Sequence, residues 1–308
     1  MKSLTPIILI FFFFSMISAA QEVDENGNPL PYDVVIQSEL GGKIFKFSGN
    51  TRFNFNQAYF SNWVSGGESS LTGLFGLDYN FNYSDRKGLV WDSNLLLSLG
   101  TTFITGNTFF KKADDRFEIR SLVGKQINAE WNYSAFLKFK TQLLPDYRYF
   151  KVDGEEQREK TSQFFSPAII QSGLGWYYKK NDNLWLNLSP LTARMFLVSQ
   201  KFTRDLEEGK NYFGVEKGKR SAFFLGASIT GYYKVTLMKN VIFENNYNFY
   251  VNYLENPQNV DVEWNGNLRF KVNDIISGNF LLHLIYDDDL IGELQFRELI
   301  GLGVNIDL

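Results

Sequence analysis

Residues 71–83, LTGLFGLDYNFNY, constrain the fold of this chain more than any other stretch. Leu71, Gly73, Phe75, Leu77, Tyr79, Phe81 and Tyr83 share one parity; Thr72, Leu74, Gly76, Asp78, Asn80 and Asn82 share the other. A strand throws successive side chains to opposite faces, so this segment has one apolar, aromatic face and one mostly polar face. Globular strands usually run to ~5–6 residues, whereas a strand crossing a bilayer needs about 9–11 tilted ones. A pattern of this length, if it recurs, points to a membrane barrel, because only helices and closed barrels satisfy every backbone group in lipid.

The pattern does recur. Segments with strand character lie at about 52–60, 71–84, 89–103, 115–126, 130–143, 168–180, 184–199, 221–236, 241–254, 260–273, 275–287 and 293–308. In one, Val241, Phe243, Asn245, Tyr247, Phe249, Val251 and Tyr253 alternate with Ile242, Glu244, Asn246, Asn248, Tyr250 and Asn252. In another, Val262, Trp264, Gly266, Leu268, Phe270 and Val272 oppose Asp261, Glu263, Asn265, Asn267, Arg269 and Lys271. The charged parity must face the lumen, since a lipid-facing Arg or Lys near the midplane costs about 2–4 kcal/mol. Long and short connections largely alternate, as they do between the two sides of an outer-membrane barrel. The fold expected is an all-β, transmembrane, antiparallel up-and-down barrel of about twelve strands; ten or fourteen also satisfy these constraints. The alternative is a soluble barrel or sandwich with the same rings in its core.

Two details qualify this pattern. Tyr83, Trp91, Trp131, Tyr133, Trp176, Tyr178, Trp185 and Tyr233 cluster near the short-turn ends, where amphipathic rings gather at a membrane–water interface. Pro190 interrupts the seventh segment and cannot donate a ladder hydrogen bond, so it marks a bulge or splits the segment. Arg194 shares parity with Leu186 and Leu188, as a phase change there would require.

The first residues, MKSLTPIILIFFFFSMISAA, combine a positive start, an apolar run and small residues at Ser18-Ala19-Ala20. This is the pattern of a secretory signal peptide, and the run is short for a spanning helix. The organisation expected is a signal peptide at 1–20, a polar periplasmic lead-in at 21–50 with a short extra strand at Lys43–Phe47, and a barrel at 51–308. An even strand count then leaves both termini in the periplasm, with the protein in the outer membrane. Cysteine is absent, which removes disulfide frameworks and thiolate metal sites. The formal charge of −3 and the lack of a basic patch argue against a nucleic-acid partner.

Several motifs in this order resemble an uncharacterised bacterial outer-membrane family catalogued as domain of unknown function 3078. They are Asn62-Trp63 followed by Gly66-Gly67-Glu68-Ser69-Ser70-Leu71, Lys112-Ala113-Asp114-Asp115-Arg116, Thr141-Gln142, Phe165-Ser166-Pro167-Ala168, Ser189-Pro190-Leu191-Thr192, Phe213-Gly214-Val215 and Tyr286-Asp287-Asp288-Asp289. The resemblance implies a cell-envelope protein of Gram-negative bacteria and brings no catalytic residue with it. The chain departs from a common barrel ending, closing on Leu308 where many outer-membrane barrels carry an aromatic residue.

Candidate sites follow from parity and loop chemistry. Lumen charges are expected at Glu118, Arg120, Lys138, Lys140, Glu263, Arg269 and Lys271, with His283, the one histidine, on the lumen face of its strand. Such groups select solutes by charge in an open pore or brace a closed one, because buried charges need partners. His283 beside Ser277 or Asp287 would be the general base of a lipid-modifying enzyme, although no Gly-x-Ser-x-Gly motif accompanies it. Asp287-Asp288-Asp289 offers oxygen ligands suited to calcium, but without EF-hand spacing. Trp63 with Gly66-Gly67 forms either a ligand platform or a loop anchored in the barrel mouth. No catalytic residue, dedicated metal site or cofactor is expected. The expected partners are outer-membrane lipid, the barrel-assembly machinery and a small polar solute. Three functions remain at this stage: a channel or transporter for small polar solutes, a structural or partner-binding barrel with a closed lumen, and a lipid-modifying barrel enzyme using His283.

Overall fold

The computed structural model describes residues 36–40, 42–60, 68–273, 275–287 and 292–307. The signal peptide expected at 1–20 lies outside the described residues. Strand β1 (Ile36–Leu40) precedes β2 (Lys43–Ala58), β3 (Ser70–Ser84), β4 (Leu89–Ile104), β5 (Lys111–Gln126) and β6 (Trp131–Thr141). A hairpin of β7 (Asp146–Val152) and β8 (Glu155–Ser162) leads to β9 (Ala168–Asn181) and β10 (Leu184–Leu197). A 3-10 turn at Gln200–Phe202 and a two-residue pair, β11 (Asn211–Tyr212) and β12 (Val215–Glu216), precede β13 (Ser221–Met238). The chain closes with β14 (Val241–Asn252), β15 (Asp261–Lys271), β16 (Ile276–Tyr286) and β17 (Gln295–Asp307). No helix among the described residues is long and apolar enough to cross a membrane.

Twelve strands close into one antiparallel up-and-down barrel, in the order β2-β3-β4-β5-β6-β9-β10-β13-β14-β15-β16-β17 and back to β2. The closing pair runs from Asn50–Phe55 on β2 to Leu302–Asp307 on β17. Below it, β1 takes over the same edge of β2, pairing with Lys43–Phe47. The short extra strand and the first barrel strand expected from sequence are therefore one strand. The barrel begins at Lys43 instead of residue 51.

Short turns join β3–β4, β5–β6, β9–β10, β13–β14 and β15–β16 at one end; every long connection lies at the other. Local chemistry fixes the short turns. Asp85 Oδ1 accepts from the Lys87 and Leu89 backbone N–H groups at 2.7 and 2.8 Å, with Arg86 and Gly88 at positive φ. Asn128 Oδ1 accepts from Glu130 and Trp131, and Asn181 Oδ1 from Asn183. Asn273 Oδ1 accepts from Ile275 and Ile276. Asp and Asn are turn residues because their side chains bond backbone groups two or three residues on.

Phe55, Leu71, Leu137, Leu174, Phe223, Ile300 and Leu302 stand exposed on the outer surface, while Asp78, Asn80 and Asn82 line the interior. This is an inverted globular protein, apolar outside and polar inside, the arrangement of a transmembrane barrel. Pro190 sits in a β-bulge: the register shifts between Ser189 and Thr192, so that Asn187 and Ser189 and then Thr192 and Arg194 are buried. A Cβ on Gly175 would strike the Leu188 carbonyl, so the neighbouring strand accommodates the bulge only with glycine there. Of the expected interface rings, Trp91, Tyr133, Trp176 and Tyr233 are exposed on the outside. Trp185 is not among them. It faces inward, under the Arg120 guanidinium at 4.7 Å, because it shares parity with the interior residue Asn187.

Candidate functional site

The interior holds two chambers. One, of about 340 Å³, occupies the short-turn half; the other, of about 420 Å³, opens under the long loops. Asp114, Arg116, Lys138, Asn248, Glu263 and Arg297 line both and form the partition.

Glu263 on β15 is the hub of that partition. Its carboxylate lies 2.7 Å from Lys140 Nζ, 3.5 Å from Arg116, 3.7 Å from Lys138 and 3.2 Å from His283 Nε2. Glu118 takes Arg116 at 2.7 Å and Lys138 at 3.5 Å. In barrel order β5 is fourth and β15 is tenth of twelve, so Arg116 and Glu263 meet from opposite walls. Arg116 also donates to Asn265 Oδ1 at 3.3 Å, and Asp114 on β5 receives Arg297 of β17 at 2.6 Å. Charges taken out of water need partners, and these have them.

A second brace lies above this layer. Arg194 contacts Asp261 at 2.6 Å and Asp287 at 3.4 Å, and stacks on the Tyr250 ring at 3.6 Å. Beside it the β10–β13 connection folds into the mouth: Val215 packs with Phe196, Val198, Phe224 and Tyr250 in an apolar cluster. A third brace spans the short-turn end. Asp92 receives Lys179 at 2.9 Å, the Tyr177 hydroxyl at 2.9 Å and Asn82 at 2.5 Å. Lys46 on β2 reaches Asp182 in the opposite turn at 3.4 Å.

The charges singled out by parity fall as follows. Glu118, Arg120, Lys138, Glu263 and Arg269 line the lower chamber, and Lys138, Lys140, Glu263 and His283 the upper. Lys271 lies further along β15 on the same face as Arg269. His283 binds Glu263, and Asp287 is held by Arg194. Ser277 is six residues from His283 on one strand, about 20 Å away at ~3.4 Å per residue, so the two form no dyad. Trp63, Gly66, Gly67, Asp288 and Asp289 lie outside the described residues. Among the described residues, no group of three or more acidic or histidine side chains is placed to hold a metal ion.

Sequence reasoning passed over Arg116, Arg297 and the Asp92–Lys179 pair. Parity could have found Arg116, which shares its face with Glu118 and Arg120. The motif residues build the rim of the upper chamber. Asp115 caps the Leu143 and Leu144 N–H groups at 2.8 and 2.9 Å. Gln142 donates to the Gln163 and Ser166 carbonyls at 3.0 Å each, and Thr141 to that of Pro167 at 2.9 Å.

The fold and its interior thus define a closed twelve-stranded barrel with an apolar exterior and a charge-braced lumen. Residues 55–147 match a family model described as "Protein of unknown function (DUF3078)". That segment contains the tryptophan–glycine, Lys112–Arg116 and Thr141-Gln142 motifs; the later motifs lie beyond it. No curated protein matches this chain. Among solved structures it is similar to the translocator domain of the autotransporter NalP from Neisseria meningitidis, at 7% identity and a TM-score of 0.39, covering 87% of this chain and 88% of that one. It is also similar to the COG4313 outer membrane channel from Pseudomonas putida F1, at 10% identity and a TM-score of 0.36, covering 91% and 99%. A third is OmpT, an outer membrane protein of Vibrio cholerae, at 8% identity and a TM-score of 0.27, covering 89% and 100%. Likeness at this level says nothing of substrate, cargo or mechanism.

Proposed function

We propose that the protein is an outer-membrane barrel whose lumen is braced shut, and that it works through its long-loop face as a structural or partner-binding protein. The observation that carries this is the Glu263 hub, which joins opposite walls through direct ion pairs. A solute crossing the barrel would have to separate those charges. Removing one partner of a buried pair costs about 3–5 kcal/mol. The polar interior is thus read as internal scaffolding in preference to a conduction path.

The long-loop face supports the second half of the reading. The β7–β8 hairpin is pinned to the β4–β5 connection: Glu156 accepts from the Thr108 N–H at 2.8 Å, and the Tyr149 hydroxyl donates to the Phe110 carbonyl at 3.1 Å. Arg158 is clasped by Phe109 and Tyr147 at 4.3 and 4.2 Å. Phe110, Phe150 and Val152 stay exposed on this ordered platform. The short-turn end, with both barrel termini, then faces the periplasm, and the leader directs export. Outer-membrane lipid and the assembly machinery are the partners this placement requires.

Liposome swelling tests the reading. Proteoliposomes of the wild type should remain impermeable to small neutral and charged solutes. Swelling at porin-like rates would overturn it and restore the channel.

A further inference from the structure

We infer that the upper chamber is a dead-end binding pocket for an uncharged, hydroxylated ring such as a mono- or disaccharide. The inference builds on the partition at Glu263, which gives the pocket its floor. At about 420 Å³ the chamber falls within the usual ~300–1,000 Å³ range of ligand pockets.

Gln171 carries the argument. It is only 3% exposed, lines the chamber, and its side-chain Nε2 has no hydrogen-bond partner. Register explains why. Gln171 lies directly between Lys138 on β6 and Arg194 on β10. Both are donors only and cannot accept from an amide N–H. Both are also committed elsewhere, Lys138 to Glu118 and Glu263, Arg194 to Asp261 and Asp287. A buried donor left unmet is costly, so a ligand that accepts from it gains affinity. The chamber holds two more groups of this kind, the Arg297 Nε donor and the Asn248 Oδ1 acceptor.

The class of ligand follows by elimination. The basic and acidic lining residues number five each, so an ion would have to break an existing pair to find a partner. A purely apolar ligand would leave Gln171, Arg297 and Asn248 unmet. Hydroxyl groups both donate and accept, which suits two donors and one acceptor. Ile169, Phe196, Phe213 and Ile285 supply apolar wall to the same chamber. A sugar ring offers both surfaces, a C–H face for the wall and hydroxyls at its edge.

The test is calorimetric titration of the full mature barrel in phospholipid nanodiscs. Glucose, galactose, N-acetylglucosamine and maltose serve as probes, with glycine betaine and inorganic phosphate as charged controls. At least one sugar should bind with a Kd of about 1 mM or tighter. Gln171→Leu should weaken it roughly tenfold. Arg297→Lys, which keeps the charge facing Asp114 and deletes Nε, should also weaken it, and Asn80→Ala in the lower chamber should leave it unchanged. Folding of each variant is checked by heat-modifiable electrophoretic mobility, so a misfolded Gln171→Leu leaves Arg297→Lys to decide. The proposal is overturned if no sugar binds, if a charged control binds in its place, or if binding survives the folded chamber variants. Swelling and sugar binding are read separately, so a barrel that conducts and still binds sugar would fault the closed lumen alone.

Discussion

Two of the ion pairs that cross this barrel between facing walls, Arg116–Glu263 and Lys46–Asp182, are not equivalent. Arg116–Glu263 sits at mid-barrel with side chains 17% and 12% exposed, inside a network that includes Glu118, Lys138, Lys140 and His283. Lys46–Asp182 bridges the short-turn mouth with side chains 36% and 57% exposed. The chemistry is the same and the span is similar, but the surroundings differ. An exposed pair is worth about 0–1 kcal/mol because water and salt screen it. Losing one partner of a buried pair strands the other charge and costs about 3–5 kcal/mol. Depth, more than the presence of a bridge, decides which brace holds the lumen.

The comparison can be broken most readily at the hub. Glu263→Gln should destabilise the barrel by about 3–5 kcal/mol, measured as a lowered midpoint of urea unfolding in lipid. A change under 1 kcal/mol would make the hub no stronger than a surface pair. Next in size is the contrast between the two faces of β3. Phe75→Lys places a cation in the lipid-facing row at about 2–4 kcal/mol near the midplane, whereas Asn80→Lys puts it in the lumen beside Asp78. Outer-membrane yield should fall sharply for the first and little for the second; equal yields would reverse the assignment of faces. Lys46→Ala should shift the unfolding midpoint by less than about 1 kcal/mol, and less still at high salt.

The smallest effect is expected at the β3–β4 turn. The Leu89 N–H, and to a lesser degree that of Lys87, holds the Asp85 carboxyl below the usual carboxylate range. A depressed folded-state value means that its contribution is present at neutral pH and lost as pH falls below ~3.9 through that range. Asp85→Asn should therefore slightly flatten the acid limb of a stability–pH curve. A steeper limb would contradict the turn geometry.

The strands were legible because a lipid-facing strand has no choice but to alternate, and the segment at 71–84 differs from β3 by one residue. The short turns were legible for a related reason, since Asp85, Asn128, Asn181 and Asn273 each bond their own turn. The β7–β8 hairpin gave no signal. Glu155, Glu156, Gln157, Arg158, Glu159 and Lys160 are polar on both faces, so the usual contrast between faces is missing. Trp185 lies near a short turn, yet its parity with Asn187 turns it inward, and parity outweighs position along the strand. The partition itself could not be read at all. Parity places Glu118, Lys138, Lys140 and Glu263 inside, but which of them meet depends on strand number, stagger and diameter, properties of the closed barrel. The same holds for Gln171, whose unmet amide follows from its two cross-strand neighbours.

Ion conductance in planar bilayers tests the central claim most directly. The wild type should insert without discrete current steps. Glu118→Gln/Glu263→Gln removes the two carboxylates paired with Arg116, Lys138 and Lys140 and leaves those three cations to repel one another, and this double variant should give steps. Discrete steps from the wild type, unchanged in the double variant, would contradict a lumen closed at Glu263.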